Sequence, residues 1–377
     1  MQKICLLCQH ANPKYGSEYA AGWSTLKALY LDRLYEKFQI DIFISSHSYN
    51  SSDINRVKDQ YQKKNINFYF VPNFNKSKLH KYFGALLRIF WQIKVFFIIK
   101  DKKYDFVHQI SPNSIIYLNP IFLFNNKIKK IIGPMRSDSF INLKQIYFYS
   151  LNVFIFQIFA HIKQFIEFVL CFFHRKAILK VDLYLDPISK RKLNNSVYCP
   201  ETSFIKTRQN KNNNKNNKYL LIWSGTPETK IRKGYHLVMK VIQNLNKKKI
   251  NNYEVLILGL MNKKSNNINF KKKLPRSVLL SKLDDRVIYL MTSLRELNSV
   301  LVKEVLENNG QVIAAPLVIF NKNNSKNFHL IKKYSNIDEW CNKIISILNN
   351  KVKNNFESNI NIDQILKKLD NIYQIKI

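Results

Sequence analysis

The stretch Tyr219-Leu220-Leu221-Ile222-Trp223-Ser224-Gly225-Thr226 is a run of apolar residues that ends in serine, glycine and threonine. Shortly after it, Ile231-Arg232-Lys233-Gly234 opens an amphipathic stretch over residues 235–246. An apolar run, a glycine-containing loop and an amphipathic stretch predict a buried strand followed by a helix. The same unit recurs along most of the chain, so these residues set the expectation for the whole fold.

Short apolar runs alternate with longer amphipathic ones on both sides of this stretch. Runs rich in Ile, Phe, Val and Tyr predict strands at residues 4–8, 40–44, 66–71, 106–110, 130–132, 181–185, 219–224, 253–258, 287–292 and 311–315. Helical patterns cover residues 18–37, 52–63, 78–100, 141–179, 235–246, 277–283 and 299–308. Strands and helices in alternation predict an α/β fold with mostly parallel sheets covered on both faces.

A stretch without apolar residues, 207–218, interrupts this alternation with asparagine and lysine. It predicts an Asn/Lys-rich linker at 201–218 between a Rossmann-like domain at 1–200 and a second one at 219–350. Residues 351–377 are expected to form a helical tail. Two such domains in tandem predict a cleft between them, with ligands beyond the carboxyl ends of the strands.

The charge of the chain is strongly positive, with 61 Lys and Arg against 25 Asp and Glu in 377 residues. A basic surface is typical of nucleic-acid binding. Here lysine is mixed with asparagine and isoleucine throughout, and the aromatic residues fall in predicted strands and amphipathic helices rather than in a basic strip. A nucleic-acid partner is therefore not expected, whereas an anionic membrane surface is. The five scattered cysteines fit buried small side chains better than a metal site, and no metal is expected.

The longest helical pattern contains 18 consecutive residues without charge, 145–162. On a helical wheel its apolar residues form one stripe and its polar residues lie opposite, so the helix is amphipathic rather than membrane-spanning. Two interpretations remain open: the stripe packs on the protein's own sheet, or it dips into a membrane interface beside the basic aromatic helix at 78–100. The stripe consists of Phe148, Leu151, Ile155, Ile158, Ile162, Ile166, Val169 and Phe173.

Two loops of the second half carry candidate chemistry. Gly225 allows a close backbone approach, the next helix start is expected to offer free N–H groups, and Lys233 adds a positive charge, which together suit a diphosphate. Glu296 and Glu304 are spaced E-x7-E, one after a buried strand and one on the following helix. Carboxylates in such places suit the vicinal hydroxyls of sugars and riboses, although a solvated helix face has the same pattern.

The first half contributes three weaker candidates. Gly16 follows the first strand and permits a tight turn, and Gly133 ends a later strand at the same predicted sheet edge. His108, at the end of the strand 106–110, can reach a substrate hydroxyl, or it can be a core histidine with satisfied hydrogen bonds.

These motifs together resemble retaining glycosyltransferases of family 4, which have the two-domain GT-B fold. The matching residues are Tyr15-Gly16-Ser17-Glu18 with Gly22-Trp23, His108-Gln109-Ile110-Ser111 with Asn119-Pro120, Gly133-Pro134, Gly225 with Lys233-Gly234, Gly259, and Ser293-Leu294-Arg295-Glu296 with Glu304-Val305-Leu306 and Gly310. They run in the family's order from residue 4 to about residue 315.

The resemblance implies a sugar transfer from a nucleotide-sugar donor, with retention of configuration, to a bacterial surface glycan precursor such as lipopolysaccharide or capsule. Lys233 and Glu296 are the implied catalytic residues: Lys233 binds the donor diphosphate and Glu296 the transferred sugar. Glu304 binds the ribose, and Gly16, Gly225 and Thr226 line the donor. The family is usually metal-independent, and the chain has no Asp-x-Asp motif. No cofactor is expected.

Two departures keep a second interpretation open. Thr226 stands where the family commonly has arginine, and Met135-Arg136-Ser137 replaces glycines on the acceptor side, where His108, Gly133 and Arg136 are the candidates. The second interpretation is a degenerate GT-B protein that binds a sugar nucleotide or a partner without turnover. In either case the expected location is the cytoplasm, at the inner face of the cytoplasmic membrane.

Overall fold

The structure is a computed structural model of the full chain. It describes residues 1–12, 18–72, 79–112, 117–124, 128–134, 151, 154–155, 158–159, 162, 182–186, 196–198, 218–227, 229–260, 268–271, 274–294, 296–297, 299–316, 318–319, 326–349 and 362–373. Residues 201–217 of the predicted linker lie outside these residues, and so do Gly16 and the segment Met135-Arg136-Ser137. The same holds for four residues of the predicted stripe, Phe148, Ile166, Val169 and Phe173.

The chain forms two compact units, each built on a parallel sheet. The first comprises Met1–Ser139, Gln164–Ile205 and Ile360–Ile377, and the second comprises Phe140–Lys163 and Lys206–Asn359. Helices lie between many of the successive strands and both units are Rossmann-like, so the predicted α/β class is confirmed.

The first unit contains a seven-stranded sheet in the order β3-β2-β1-β4-β5-β6-β7, with every pair parallel. Its strands are β1 (Gln2–Cys8), β2 (Phe38–Ser45), β3 (Ile66–Val71), β4 (Phe106–Ser111), β5 (Lys129–Ile132), β6 (Leu183–Asp186) and β7 (Ser196–Tyr198). Its helices are α1 (Glu18–Leu26), continued by a π-helix (Lys27–Leu34), a 3-10 turn (Ser46–Ser48), α2 (Ser51–Tyr61), α3 (Leu79–Ile99) and α4 (Ile121–Phe124).

The second unit contains a six-stranded sheet in the order β10-β9-β8-β11-β13-β15. Its strands are β8 (Tyr219–Ser224), β9 (Tyr253–Leu258), β10 (Ile268–Lys271), β11 (Val287–Met291), β13 (Gln311–Ala314) and β15 (Phe328–Leu330), and a separate parallel pair is formed by β12 (Glu296–Leu297) and β14 (Val318–Ile319). Its helices are α5 (Tyr235–Lys247), α6 (Arg276–Leu280), α7 (Val300–Glu307) and α8 (Ile337–Asn349). Helix α9 (Ile362–Tyr373) follows it in the chain.

Strand β1 shows how the first sheet is buried on both faces. Its residues alternate between two apolar cores, with Ile4 and Leu6 on one side and Cys5 and Leu7 on the other. A central parallel strand covered by helices on both faces needs such a continuous apolar run.

Helix α9 belongs to the first unit, although the whole second unit precedes it in the sequence. Ile365, Leu366 and Leu369 are buried in the same core as Leu6 and Ile40. Their spacing places them on one helix face, as expected for an amphipathic helix that covers a sheet. The sequence predicts a helical tail here, and the structure adds where its apolar face packs.

The apolar stripe of the longest predicted helix is exposed where the structure describes it. Leu151, Ile155, Ile158 and Ile162 of the stripe are helical and exposed, with 65% of the surface of Leu151 exposed. Phe159, which the predicted stripe does not include, is also exposed, at 66%. These five side chains do not pack on a sheet. No helix within the described residues is long and apolar enough to cross a membrane.

Candidate functional site

Two glycines form a backbone-to-backbone contact beyond the carboxyl ends of β8 and β9. The Gly225 N–H donates to the Leu258 carbonyl oxygen at 3.0 Å. Gly259 has φ +88°, and a methyl group at this position would overlap the Gly225 carbonyl. Gly259 thus tolerates no side chain, and the loop after β8 is fixed against the loop after β9.

The loop between β8 and α5 is a series of turns that use their own backbone groups. The N–H of Thr226 donates to Thr229 Oγ1 at 2.8 Å, and the N–H of Thr229 donates to the Thr226 carbonyl at 3.0 Å. The N–H groups of Lys233, Gly234 and Tyr235 donate to carbonyls within the loop at 2.8–3.0 Å. These three N–H groups are satisfied, so the expectation of free N–H groups at this helix start is wrong for them.

Lys233 is half-buried, and its backbone is fixed from two sides. Its carbonyl oxygen accepts a hydrogen bond from Trp223 Nε1 at 3.0 Å and another from Thr292 Oγ1 at 2.7 Å. Trp223 belongs to β8, and Thr292 directly follows β11. The predicted diphosphate-binding lysine is therefore placed by the ends of two neighbouring strands.

The two candidate loops of this unit lie side by side. The N–H of Leu294 donates to the Arg232 carbonyl at 2.8 Å, which joins the loop containing Lys233 to the segment that begins at Ser293. Glu296 lies two residues further on, in β12, where it pairs with Val318. The side chain of Glu296 and the whole of Arg295 lie outside the described residues.

Glu304 is on α7 with only 4% of its surface exposed. Its neighbour Lys303 is also buried and forms an ion pair with Glu307, with 3.4 Å between Nζ and Oε1. The pKa of Lys303 is lowered below its ordinary value, because the effect of burial outweighs the opposite effect of the negative charges of Glu307 and Glu304. A buried lysine thus stands beside the carboxylate predicted to bind ribose.

Lys303 was missed by the sequence analysis. A Lys–Glu pair four residues apart on a helix is a common surface pattern, and nothing in the pattern indicates burial. The only available signal was its position between apolar residues in the Val300–Glu307 stretch.

His108 is in the core of the first unit, with 0% of its surface exposed. Its Nε2 donates to the Gly133 carbonyl at 2.9 Å, and its Nδ1 therefore accepts from Tyr30 Oη at 2.5 Å. Burial lowers the pKa of His108 to about 4, against a smaller opposite effect of the hydrogen bond to Gly133. Both nitrogens are used by the protein, which matches the alternative of a satisfied core histidine.

The first unit also buries a polar side chain that the sequence analysis did not single out. Gln9 directly follows β1 and is 0% exposed, and neither Oε1 nor Nε2 has a hydrogen-bond partner among the described residues.

Gly133, at the end of β5, has φ +132°, a conformation that favours glycine. Arg136 lies outside the described residues, so His108 and Gly133 are the acceptor-side candidates that the structure describes, and the donor-side candidate Gly16 also lies outside them.

Within the part of the chain that the structure describes, no group of three His, Cys, Asp or Glu side chains could hold a metal ion. Cys5, Cys8 and Cys341 are buried and unpaired by disulfides. Burial raises the pKa of each thiol above its ordinary value. These three cysteines therefore stay protonated and pack as small apolar groups.

The comparisons with known proteins match by structure alone. No model of a protein family matches the chain, and no curated protein matches it by sequence. Sucrose-phosphate synthase from Thermosynechococcus elongatus superposes with a TM-score of 0.55 at 11% identity, covering 93% of this chain and 90% of that one.

Two further solved structures are similar over comparable lengths. A putative UDP-N-acetylglucosamine 2-epimerase from Listeria monocytogenes has a TM-score of 0.56 at 10% identity, and the superposition covers 100% of this chain and 97% of the epimerase chain. WaaG, a glycosyltransferase involved in lipopolysaccharide biosynthesis, has a TM-score of 0.54 at 10% identity and covers 92% and 90%. At such low identity the likeness shows a shared two-domain Rossmann-like fold.

Proposed function

We propose that the protein is a retaining glycosyltransferase of the GT-B type that resembles family 4 and uses a nucleotide-sugar donor. The observation that carries this proposal is the hydrogen bond from Leu294 to Arg232, which places the Lys233 loop beside the segment leading to Glu296. In this proposal a cation for a diphosphate and a carboxylate for a sugar come from neighbouring segments, which follow the adjacent strands β8 and β11.

In this proposal each residue acts on a different part of the donor. Lys233 neutralises the charge that builds on the diphosphate as the glycosidic bond breaks, which lowers the barrier without a metal ion. Glu304 accepts hydrogen bonds from the ribose hydroxyls, and Glu296 positions the transferred sugar. Gly225 and Thr226 line the diphosphate.

The fixed backbone of Lys233 supports this role. Two hydrogen bonds to its carbonyl and one to the carbonyl of Arg232 hold the loop before any ligand arrives. A fixed backbone gives the Lys233 side chain a constant point of attachment, from which its ammonium group reaches the developing charge.

The acceptor is proposed to be a precursor of a bacterial surface glycan at the cytoplasmic face of the membrane. WaaG, which acts in lipopolysaccharide biosynthesis, shares the fold over most of both chains. The putative epimerase shares it equally, and the E-x7-E spacing of Glu296 and Glu304 favours transfer over epimerisation.

The test is donor turnover by the purified full chain with a panel of nucleotide sugars and a membrane-lipid extract as acceptor. Lys233→Ala is expected to lower turnover by about 100-fold or more, the usual effect of removing a group that stabilises transition-state charge. Glu304→Gln keeps the shape of the side chain and is expected to weaken donor binding. Lys230→Ala, an exposed lysine of the same loop, is the matched control and is expected to leave turnover within about threefold.

The outcomes separate the candidate functions. Retention of the donor's anomeric configuration in the product supports the proposal, and inversion contradicts it. Conversion of the donor sugar without any acceptor supports an epimerase. Calorimetric binding of a nucleoside diphosphate with no turnover supports the degenerate alternative, and full activity of both Lys233→Ala and Glu304→Gln overturns the proposed donor site.

A further inference from the structure

Helix α3 has an outward face that is apolar as well as basic. Its inner face packs in the first unit through Trp91, Val95 and Ile99. On the outside, Phe90 and Phe97 expose 51% and 60% of their surfaces. Ile98 exposes 39%.

The exposed apolar residues lie on one side of the helix. Phe90, Phe97 and Ile98 are spaced by seven and eight positions, which brings them to the same face of an α-helix. A helix that covers a sheet in an α/β protein normally has a polar outer face. Large apolar side chains grouped on that face indicate an interaction surface.

Lysines border the same face. Lys94 and Lys100 are exposed, and Lys100 Nζ lies 5.3 Å from the centre of the Phe97 ring. Lys103 is exposed just beyond the helix, while Asp101 is the one acid in this group. Aromatic and aliphatic side chains flanked by lysines are the pattern of helices that lie in a membrane interface.

We propose that this α3 face, formed by Phe90, Lys94, Phe97, Ile98 and Lys100, docks on an anionic lipid bilayer. The apolar side chains enter the boundary between headgroups and acyl chains, while the lysines remain with the anionic headgroups. The inference does not depend on the proposed enzymatic activity.

The charge of the protein favours a lipid surface over a second copy of the chain. Two copies joined through this face would bring two sets of lysines together, and each chain carries a formal net charge of +36. Both effects oppose self-association, whereas the same charges attract an anionic bilayer.

A second group of exposed apolar residues, Leu151, Ile155, Ile158, Phe159 and Ile162, is an independent observation of the same kind. Its five side chains are exposed at spacings of three, four, seven, eight and eleven positions, as on one face of a helix.

The test is cosedimentation of the full chain with vesicles, without any sugar donor present. We expect binding to vesicles of phosphatidylcholine mixed with phosphatidylglycerol and much weaker binding to phosphatidylcholine alone. Binding should also fall as salt is raised, because screening shortens the reach of the lysines to about 10 Å at about 0.1 M.

Two variants of the α3 face test the assignment separately. Phe90→Ser combined with Phe97→Ser is expected to weaken binding by at least about tenfold, because apolar burial in the interface is lost. Lys94→Glu combined with Lys100→Glu is expected to weaken it by about 20-fold or more. The matched control, Arg56→Glu with Lys64→Glu, makes the same change of charge at two exposed positions elsewhere in the first unit and should change binding by less than about threefold.

Circular dichroism melts of each variant show whether it is folded. If the phenylalanine double variant does not fold, the lysine double variant alone tests whether the α3 face binds the bilayer. Indifference of the protein to lipid charge, or unchanged binding of the folded variants, overturns the proposal. So does sedimentation that shows a wild-type dimer lost in the phenylalanine variant, because the occupant would then be a second copy.

Discussion

Gly234 lies against the backbone carbonyl of Thr292, with its own φ at +70° in the left-handed region. A methyl group at position 234 would overlap that carbonyl oxygen and stand 2.6 Å from the Tyr334 hydroxyl. The hydroxyl of Tyr334 donates to the same carbonyl at 3.1 Å. The start of α5, next to Lys233, thus packs directly against the end of β11.

Gly234→Ala is expected to destabilise the second unit by about 2–4 kcal/mol, because it combines a strained φ with an overlap against backbone. Urea denaturation followed by tryptophan fluorescence measures the shift in midpoint. Lys247→Ala, at an exposed position of the same helix, should change stability by less than about 0.5 kcal/mol. An unchanged midpoint for Gly234→Ala would show that the loop adapts easily.

Thr226→Arg is expected to tighten binding of a nucleoside diphosphate by about five- to tenfold, because arginine pairs with phosphate through two charge-assisted hydrogen bonds. Thr226 is exposed, so the longer side chain meets no steric barrier at its own position. Thr226→Gln is the control, since it also removes the contact between the hydroxyls of Thr226 and Thr229 but adds no charge. Equal affinities of the two variants in calorimetry would count against a diphosphate near this loop.

His108 is expected to make the protein less stable in acid. The pKa of His108 is about 4 in the folded state against 6.5 for the free side chain, so the unfolded chain binds more protons between these values. Stability is therefore full above about pH 6.5 and falls as the pH is lowered towards 4, by about 3 kcal/mol in all. His108→Gln should flatten this dependence in thermal melts recorded across that range.

Tyr30→Phe is the comparison for this experiment. It removes the hydrogen bond to His108 Nδ1 and should lower stability by about 1–3 kcal/mol at every pH, while the slope remains. A slope that persists in His108→Gln would assign the acid sensitivity to other groups, such as His236 and His329, whose pKa values burial also lowers to about 4.

Gln9→Leu is expected to raise the melting temperature. The carboxamide of Gln9 is fully buried with no partner for either polar atom among the described residues, and such a group costs about 1–3 kcal/mol. Leucine fills similar space without that cost. Gln9→Glu, which adds a charge at the same place, should instead lower the melting temperature, and a lower value for Gln9→Leu would indicate that a buried water or ligand satisfies the amide.

Much of the fold could be predicted because the central strands are long and buried. The predicted and observed bounds agree for β8 at Tyr219–Ser224 and β9 at Tyr253–Leu258, where most of the residues are apolar and buried. Strands of two or three residues, such as β12 and β14, are too short to show a period. The predicted helix at 18–37 is instead α1 followed by a π-helix to Leu34, a difference in hydrogen bonding that apolar spacing does not reveal.

The candidate site, too, could be predicted from the sequence only in part. The loop with Lys233 was predictable, because a glycine after a strand and a basic residue before a helix are local features of the sequence. The pairing of Leu294 with Arg232 was not, since it joins loops that are distant in the chain. The burial of Lys303 gave only a weak signal in a sequence with 61 Lys and Arg. The two partners of His108, Tyr30 and Gly133, come from separate parts of the first unit.

The position of helix α9 bears on how the chain matures during synthesis. A ribosome delivers most of the second unit, Lys206–Asn359, before it delivers the helix whose Ile365, Leu366 and Leu369 complete the core of the first. The first unit, whose strands are synthesised first, therefore completes its core last. Until that moment part of its apolar interior faces water, and it is during this interval that chaperones and proteases have access to it.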